Sequence, residues 1–185
     1  CSHVHSDGRG GRKEGWDARV GGLIYEAVEE AYESRVPVSL HTGRAAAQVG
    51  FNRRLPDENG VPIMTVNKKG AVVPWVNVLE ARGEDGVPLA VLFEHAAHPV
   101  ITMTSASIGA DFPGHAIRRI NQELGEDVNV FFAQGCGANI NGYPVSFDVE
   151  GGWHENAEAA GTKLGDAVLD AMRKPGFMRS STEMH

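Results

Sequence analysis

Cysteine is nearly missing: Cys1 and Cys136 are the only two in 185 residues. They make no disulfide framework and no metal-type Cys spacing, and they leave the redox compartment undecided. No apolar stretch approaches the roughly 18 residues that a membrane-crossing helix needs, so no transmembrane segment is expected. Positive charge is short as well. Lys and Arg number 17 against 24 Asp and Glu, a net charge of −7, and no basic run occurs. Nothing therefore points to nucleic acid or an anionic membrane surface. Repeats and low-complexity tracts are absent, as are an initiator methionine and a signal peptide. The chain opens instead on the polar Cys1-Ser2-His3-Val4-His5-Ser6 and closes on the polar Arg179-Ser180-Ser181-Thr182-Glu183-Met184-His185. Both ends suggest a chain cut out of something longer.

What is present is ordinary globular composition, 42% hydrophobic and 22% charged, enough for one domain or part of one with a real core. The run Leu89-Ala90-Val91-Leu92-Phe93-Glu94-His95-Ala96-Ala97-His98-Pro99-Val100 stands out. Its apolar part, bounded by Gly86 and Pro88, reads as a buried strand. It stops at two histidines, His95 and His98, and Pro99 takes the chain out of the sheet. Strand ends are where sheets of this kind place site residues.

Around this run the expected elements alternate. A helix follows Asp17, a plausible N-cap, with Val20, Leu23, Ile24, Ala27, Val28 and Ala31 on one face; it ends before Pro37. Residues 38–49 look extended. Trp75 to Ala81 reads as a strand joined by the turn Gly83-Glu84-Asp85-Gly86 to the Leu89 strand, its antiparallel partner. After Asp111 a helix should turn Ala116, Ile117, Ile120 and Leu124 inward and end at Gly125. Val128 to Ala133 reads as a second fully apolar strand, running into the glycine-rich Gln134-Gly135-Cys136-Gly137-Ala138-Asn139-Ile140-Asn141-Gly142. A last helix is expected from about His154 to Arg173, closed by Pro175. The fold class is α/β, a mixed β-sheet with helices packed on it, here as a partial catalytic domain over residues 1–185.

Several groups could carry chemistry. His3 and His5, at i and i+2, lie on one face of an extended segment; with a histidine from another strand end they would make a zinc site, which needs about three protein ligands and an open position. The bland alternative is polar residues satisfied in loops. Arg53, in Asn52-Arg53-Arg54, could clamp a carboxylate, phosphate or developing oxyanion, although a solvated surface pair is the commoner fate. Gly135-Cys136-Gly137 could offer backbone N–H groups to an oxyanion or Cys136 as a nucleophile; a tight turn with a small buried thiol is the usual outcome. Gly8, Gly10 and Gly11 form no phosphate loop, since no strand precedes them and no Gly-Lys-Ser/Thr follows.

Taken in order, four of these segments resemble the N-terminal catalytic domain of the neutral/alkaline, non-lysosomal ceramidase family. Ser2-His3-Val4-His5-Ser6 is similar to that family's Thr-His-Thr-His-Ser segment, and Asn52-Arg53-Arg54 to its Asn-Arg-Ser or Asn-Arg-Arg. His98-Pro99 with Asp111 resembles its strand-end His-Pro and later Asp. Phe132-Ala133-Gln134-Gly135-Cys136-Gly137-Ala138-Asn139 echoes its Phe-Ala-Gln-Ser-Asn-x-Gly-Asp. The resemblance implies a zinc-dependent amidase: His3 and His98 as zinc ligands, His5 facing substrate or supporting a ligand, Arg53 near the substrate's polar head. It implies a small-molecule amide or lipid-like substrate and is compatible with a secreted or periplasmic location. The family's other two zinc ligands, a Glu and a Tyr, lie downstream and have no counterpart in this sequence. Its nucleophilic serine falls on Gly135 or, with a shifted gap, on Cys136. The expected function is hydrolysis of an amide or ester bond; the alternative is a catalytically silent scaffold that only binds a ligand.

Overall fold

Val91 and Phe93 are fully buried while Leu92 between them is 40% exposed, and this alternation sets the architecture. The computed structural model describes residues 16–105, 107–145 and 148–174. Helix α1 (Trp16–Glu33) precedes β1 (Ser39–Ala46), β2 (Gly50–Pro56), β3 (Pro62–Asn67), β4 (Trp75–Arg82) and β5 (Pro88–His95). Then come α2 (Asp111–Leu124), β6 (Asn129–Gln134), β7 (Ile140–Gly142) and α3 (Trp153–Arg173). One sheet has the order β1-β4-β5-β6, with β5 and β6 parallel and the other pairs antiparallel; a second, antiparallel one has the order β3-β2-β7. The α/β class and the mixed sheet are therefore as expected.

The parallel pair exists because α2 carries the chain back between β5 and β6, as a parallel connection must. Its Phe112, Ala116 and Ile120 are buried with Val76, Val78, Val91 and Phe93 of the sheet and with Leu164 and Val168 of α3. The two helices approach closely at Gly161. A Cβ there would lie 2.4 Å from the Cβ of His115 and 2.5 Å from the carbonyl oxygen of Phe112, so only glycine lets the backbones meet.

Three expectations are corrected. The apolar runs of β5 and β6 are not buried on both faces among the described residues, because successive strand residues point to opposite faces. The helices α2 and α3 cover one face, whereas Leu79, Leu92 and Phe131, which stand in one row across the strands, are 37%, 40% and 54% exposed on the other. Asp17 is not an N-cap, since the helix already includes Trp16. Leu23, Ile24 and Val28 of α1 are each more than half exposed, so among the described residues that apolar face finds no cover. Pro175 lies outside the described residues.

Candidate functional site

The carboxyl ends of β5 and β6 lie side by side, with His95 opposite Gln134. Beyond them both chains turn, and the turns are stitched together by backbone. The N–H of Gly135 donates to the carbonyl of His95 (3.1 Å), and that of Gly137 to the carbonyl of Gly135 (2.7 Å). These two amides are therefore engaged within the fold. Gly137 packs so tightly on Ala96 and Ala97 that a Cβ would come within 2.9 Å of their backbone.

His98 sits at this seam, three residues beyond the end of β5 and bonded to β7 of the second sheet. Its N–H donates to Ile140 O (2.8 Å), its carbonyl accepts from Gly142 N–H (3.0 Å), and it forms a parallel bridge to Asn141. Its Nδ1 lies 2.9 Å from the carbonyl oxygen of Gly137. A carbonyl only accepts, so Nδ1 carries a proton, and in a neutral ring Nε2 is then the nitrogen with the lone pair. This is the arrangement of a metal-binding histidine, whose second nitrogen is tied to an acceptor that fixes tautomer and ring orientation. In donor chemistry His98 fits zinc. Among the described residues no group of three or more His, Cys, Asp or Glu is placed to hold a metal ion; His3 and His5 lie outside the described residues.

Arg53 reaches the same seam from β2. The β2–β3 ladder slips between Asn52 and Arg54, and such irregularities re-aim side chains. The Arg53 N–H donates to Asn139 O (2.8 Å), and its Nη1 donates to Asn141 Oδ1 at 3.2 Å. Arg53, Met64, Asn141, Tyr143 and Asp148 line a shallow cleft whose enclosed space, about 10 Å³, is no more than one water fills.

The turn itself departs from expectation in two ways. Cys136 is exposed, not a small buried thiol, because the flanking glycines press their own backbone inward and leave the middle side chain outside. At Gly135 a Cβ would lie 1.7 Å from Oε1 of Glu94. The carboxylate occupies the volume that a side chain at 135 would need, which leaves no place for a serine there while Glu94 holds its position. Glu94 is itself held: Oε2 accepts from Asn77 Nδ2 at 2.5 Å, and Asn77 Oδ1 accepts from Arg44 Nε at 2.7 Å. Glu94, Asn77 and Asn141 were not singled out in the sequence. A lone acid inside an apolar strand was the available signal for Glu94; for Asn141 there was only its place in the glycine-rich turn.

Asp111 proves to be an anchor. It is buried, with φ of 53°, in the left-handed region that costs a non-glycine residue of order 1–3 kcal/mol. Its Oδ2 accepts from the N–H and the Oγ1 of Thr102, both at 2.8 Å, and its Oδ1 from Phe112 N–H at 2.8 Å. The carboxylate thereby clips the loop after His98 to the start of α2.

His95, 1% exposed, donates its Nδ1 proton to Trp75 O at 2.9 Å. Burial pushes its pKa below the ordinary imidazole value of 6.5; the Trp75 carbonyl and Glu94 oppose the shift and Lys163 adds to it. Burial, aided by Arg118, lowers His115 in the same way. A lowered histidine pKa means that the unfolded chain binds protons more readily than the folded one. Stability is thus complete above about pH 6.5, falls as pH drops through that value, and levels off below the folded-state pKa. Melting temperature should decline from pH 7 towards 5, and less steeply in His95→Asn, which keeps a donor for Trp75. Equal slopes for the two proteins would remove His95 from the account.

No family model matches the sequence, and no similar sequence is found among curated proteins. Solved structures do match. The neutral ceramidase of Pseudomonas aeruginosa superposes with a TM-score of 0.67 at 17% identity, over 87% of this chain and 26% of that one. A ceramidase complexed with C2 superposes with a TM-score of 0.68 at 16% identity, over the same shares. The chain has a ceramidase-like fold and spans about a quarter of the length of those proteins.

Proposed function

We propose that this chain is part of a zinc-dependent hydrolase that cleaves an amide or ester bond in a lipid-like substrate. The observation that carries the reading is His98, its Nδ1 tied to the Gly137 carbonyl so that the neutral ring would turn Nε2 to a metal, at the joined ends of two parallel strands. His98 and His3 would hold the metal with ligands from outside this chain, and bound zinc would polarise the scissile carbonyl and bring the pKa of its water to about 7. Arg53, braced by Asn141, would lie near the substrate's polar head, and His5 would face the substrate or support a ligand. The ceramidase-like fold supports a hydrolase; the low identity leaves the acyl group and the leaving group as the proposal's own.

A second reading, a silent ligand-binding scaffold, draws on Gly135, which has no side chain to act as a nucleophile. Zinc content and turnover of the full-length protein separate the two. Stoichiometric zinc, with hydrolysis of 4-nitrophenyl butyrate or butyryl 4-nitroanilide that a chelator stops and zinc restores, is the expected result. Turnover indifferent to the chelator would overturn the zinc reading, and a protein that stays inert with zinc bound would favour the scaffold.

A further inference from the structure

One side chain near the strand ends has no part in the reading above and an unusual setting. Glu94 is the acid of an otherwise apolar strand run, and the residue is only partly buried. Its Oε1 lies in the side-chain volume of Gly135, at the start of the same Gly135-Cys136-Gly137 turn whose last carbonyl orients His98. The imidazole and the carboxylate thus flank one turn from its two ends. The Asn77 amide fixes Oε2, and Arg44 in turn fixes Asn77. An orienting amide held by a guanidinium is a costly device for a surface acid and a fitting one for a group that must point one way.

We infer that Glu94 is the general base of the reaction, acting on a water molecule in place of a side-chain nucleophile from the turn. The inference rests on the hydrolase reading and adds the residue that handles the proton. As the water oxygen bonds to the substrate carbonyl carbon, Glu94 takes one of its protons. The C–N or C–O bond then breaks, and the same proton passes to the departing nitrogen or oxygen. The products are a carboxylic acid and an amine or alcohol, and no further reactant is needed. Cys136, though exposed on the turn, forms no covalent intermediate.

The experiment uses the full-length, zinc-loaded protein with 4-nitrophenyl butyrate and butyryl 4-nitroanilide. Glu94→Gln keeps the volume and an oxygen for Asn77. It should lower kcat by about 100- to 10,000-fold, the usual worth of a general base, with KM and zinc content little changed. Glu94→Asp, which keeps the carboxylate but withdraws it, should fall between and serves as the deciding variant if Glu94→Gln does not fold.

A separate readout needs no turnover. Gly135→Ala should lower the melting temperature by about 5 °C, and Glu94→Ala in the same chain should return most of that loss by vacating the space. Additive shifts would show that the two positions do not compete. A Glu94→Gln rate within threefold of wild type, or an acyl adduct on Cys136 in intact-mass spectra during turnover, would overturn the inference and leave the hydrolase reading standing. Absence of zinc-dependent turnover in the wild type would overturn both.

Discussion

His98→Ala is expected to cut zinc-dependent turnover of the full-length protein by more than about 100-fold and to lower its zinc content. Losing a hydrogen bond that merely supports a ligand costs roughly 10- to 100-fold in metal affinity or activity, so losing the ligand should exceed that. The fold should survive. The contacts that join His98 to Ile140, Gly142 and Asn141 run through its backbone, and alanine retains them. What goes is the imidazole and its bond to the Gly137 carbonyl. The measurement is metal content and kcat side by side, with a melting curve as control. A well-folded variant with full zinc and wild-type kcat would sink the mechanism as drawn here.

Asp111→Ala is expected to cost about 3–5 kcal/mol of stability, measured by urea unfolding. Hydrogen bonds to a charged acceptor contribute about 1.5–3 kcal/mol each, and donors stripped of that acceptor in a buried site add to the loss. Here one carboxylate serves the N–H and hydroxyl of Thr102 and the N–H of Phe112. Relief of the positive φ at Asp111 gives nothing back, since alanine tolerates that region no better. Asp111→Asn should cost less, because the side chain still offers one acceptor oxygen and asparagine accepts the left-handed backbone. A loss below about 1 kcal/mol in the alanine variant would mean that the clip between the loop and α2 is not holding either.

These two residues also mark what was legible in the sequence. The β4–β5 hairpin could be read because Gly83-Glu84-Asp85-Gly86 separates two apolar runs. Likewise α2 could be read because Ala116, Ile120 and Leu124 repeat at helical spacing. Both signals are local. The open face carrying Leu79, Leu92 and Phe131 could not be read, because an apolar run looks the same whether both faces or one are covered. Nor could the second sheet, in which the three-residue β7 pairs with β2 from far along the chain. His98 was found from its place at a strand end, and Arg53 from its motif. Glu94 escaped because its role depends on the vacancy at Gly135, a relation between residues 41 positions apart in a sequence that shows only neighbours. Asp111 was singled out as the start of a helix and by resemblance; its positive φ and its three donors are visible only in the fold.

The acceptor that aims His98 is a main-chain carbonyl, and this bears on how the chain can vary. Cys136 and Ala138, the side chains on either side of Gly137, are exposed and take no part in holding the imidazole. Substitutions there can alter the charge, bulk or reactivity presented at the mouth of the strands without turning the histidine. The orientation is inherited from the path of the backbone, which Gly137 secures by its close approach to Ala96 and Ala97. Selection can therefore change what the turn offers to a substrate while the imidazole stays where it is.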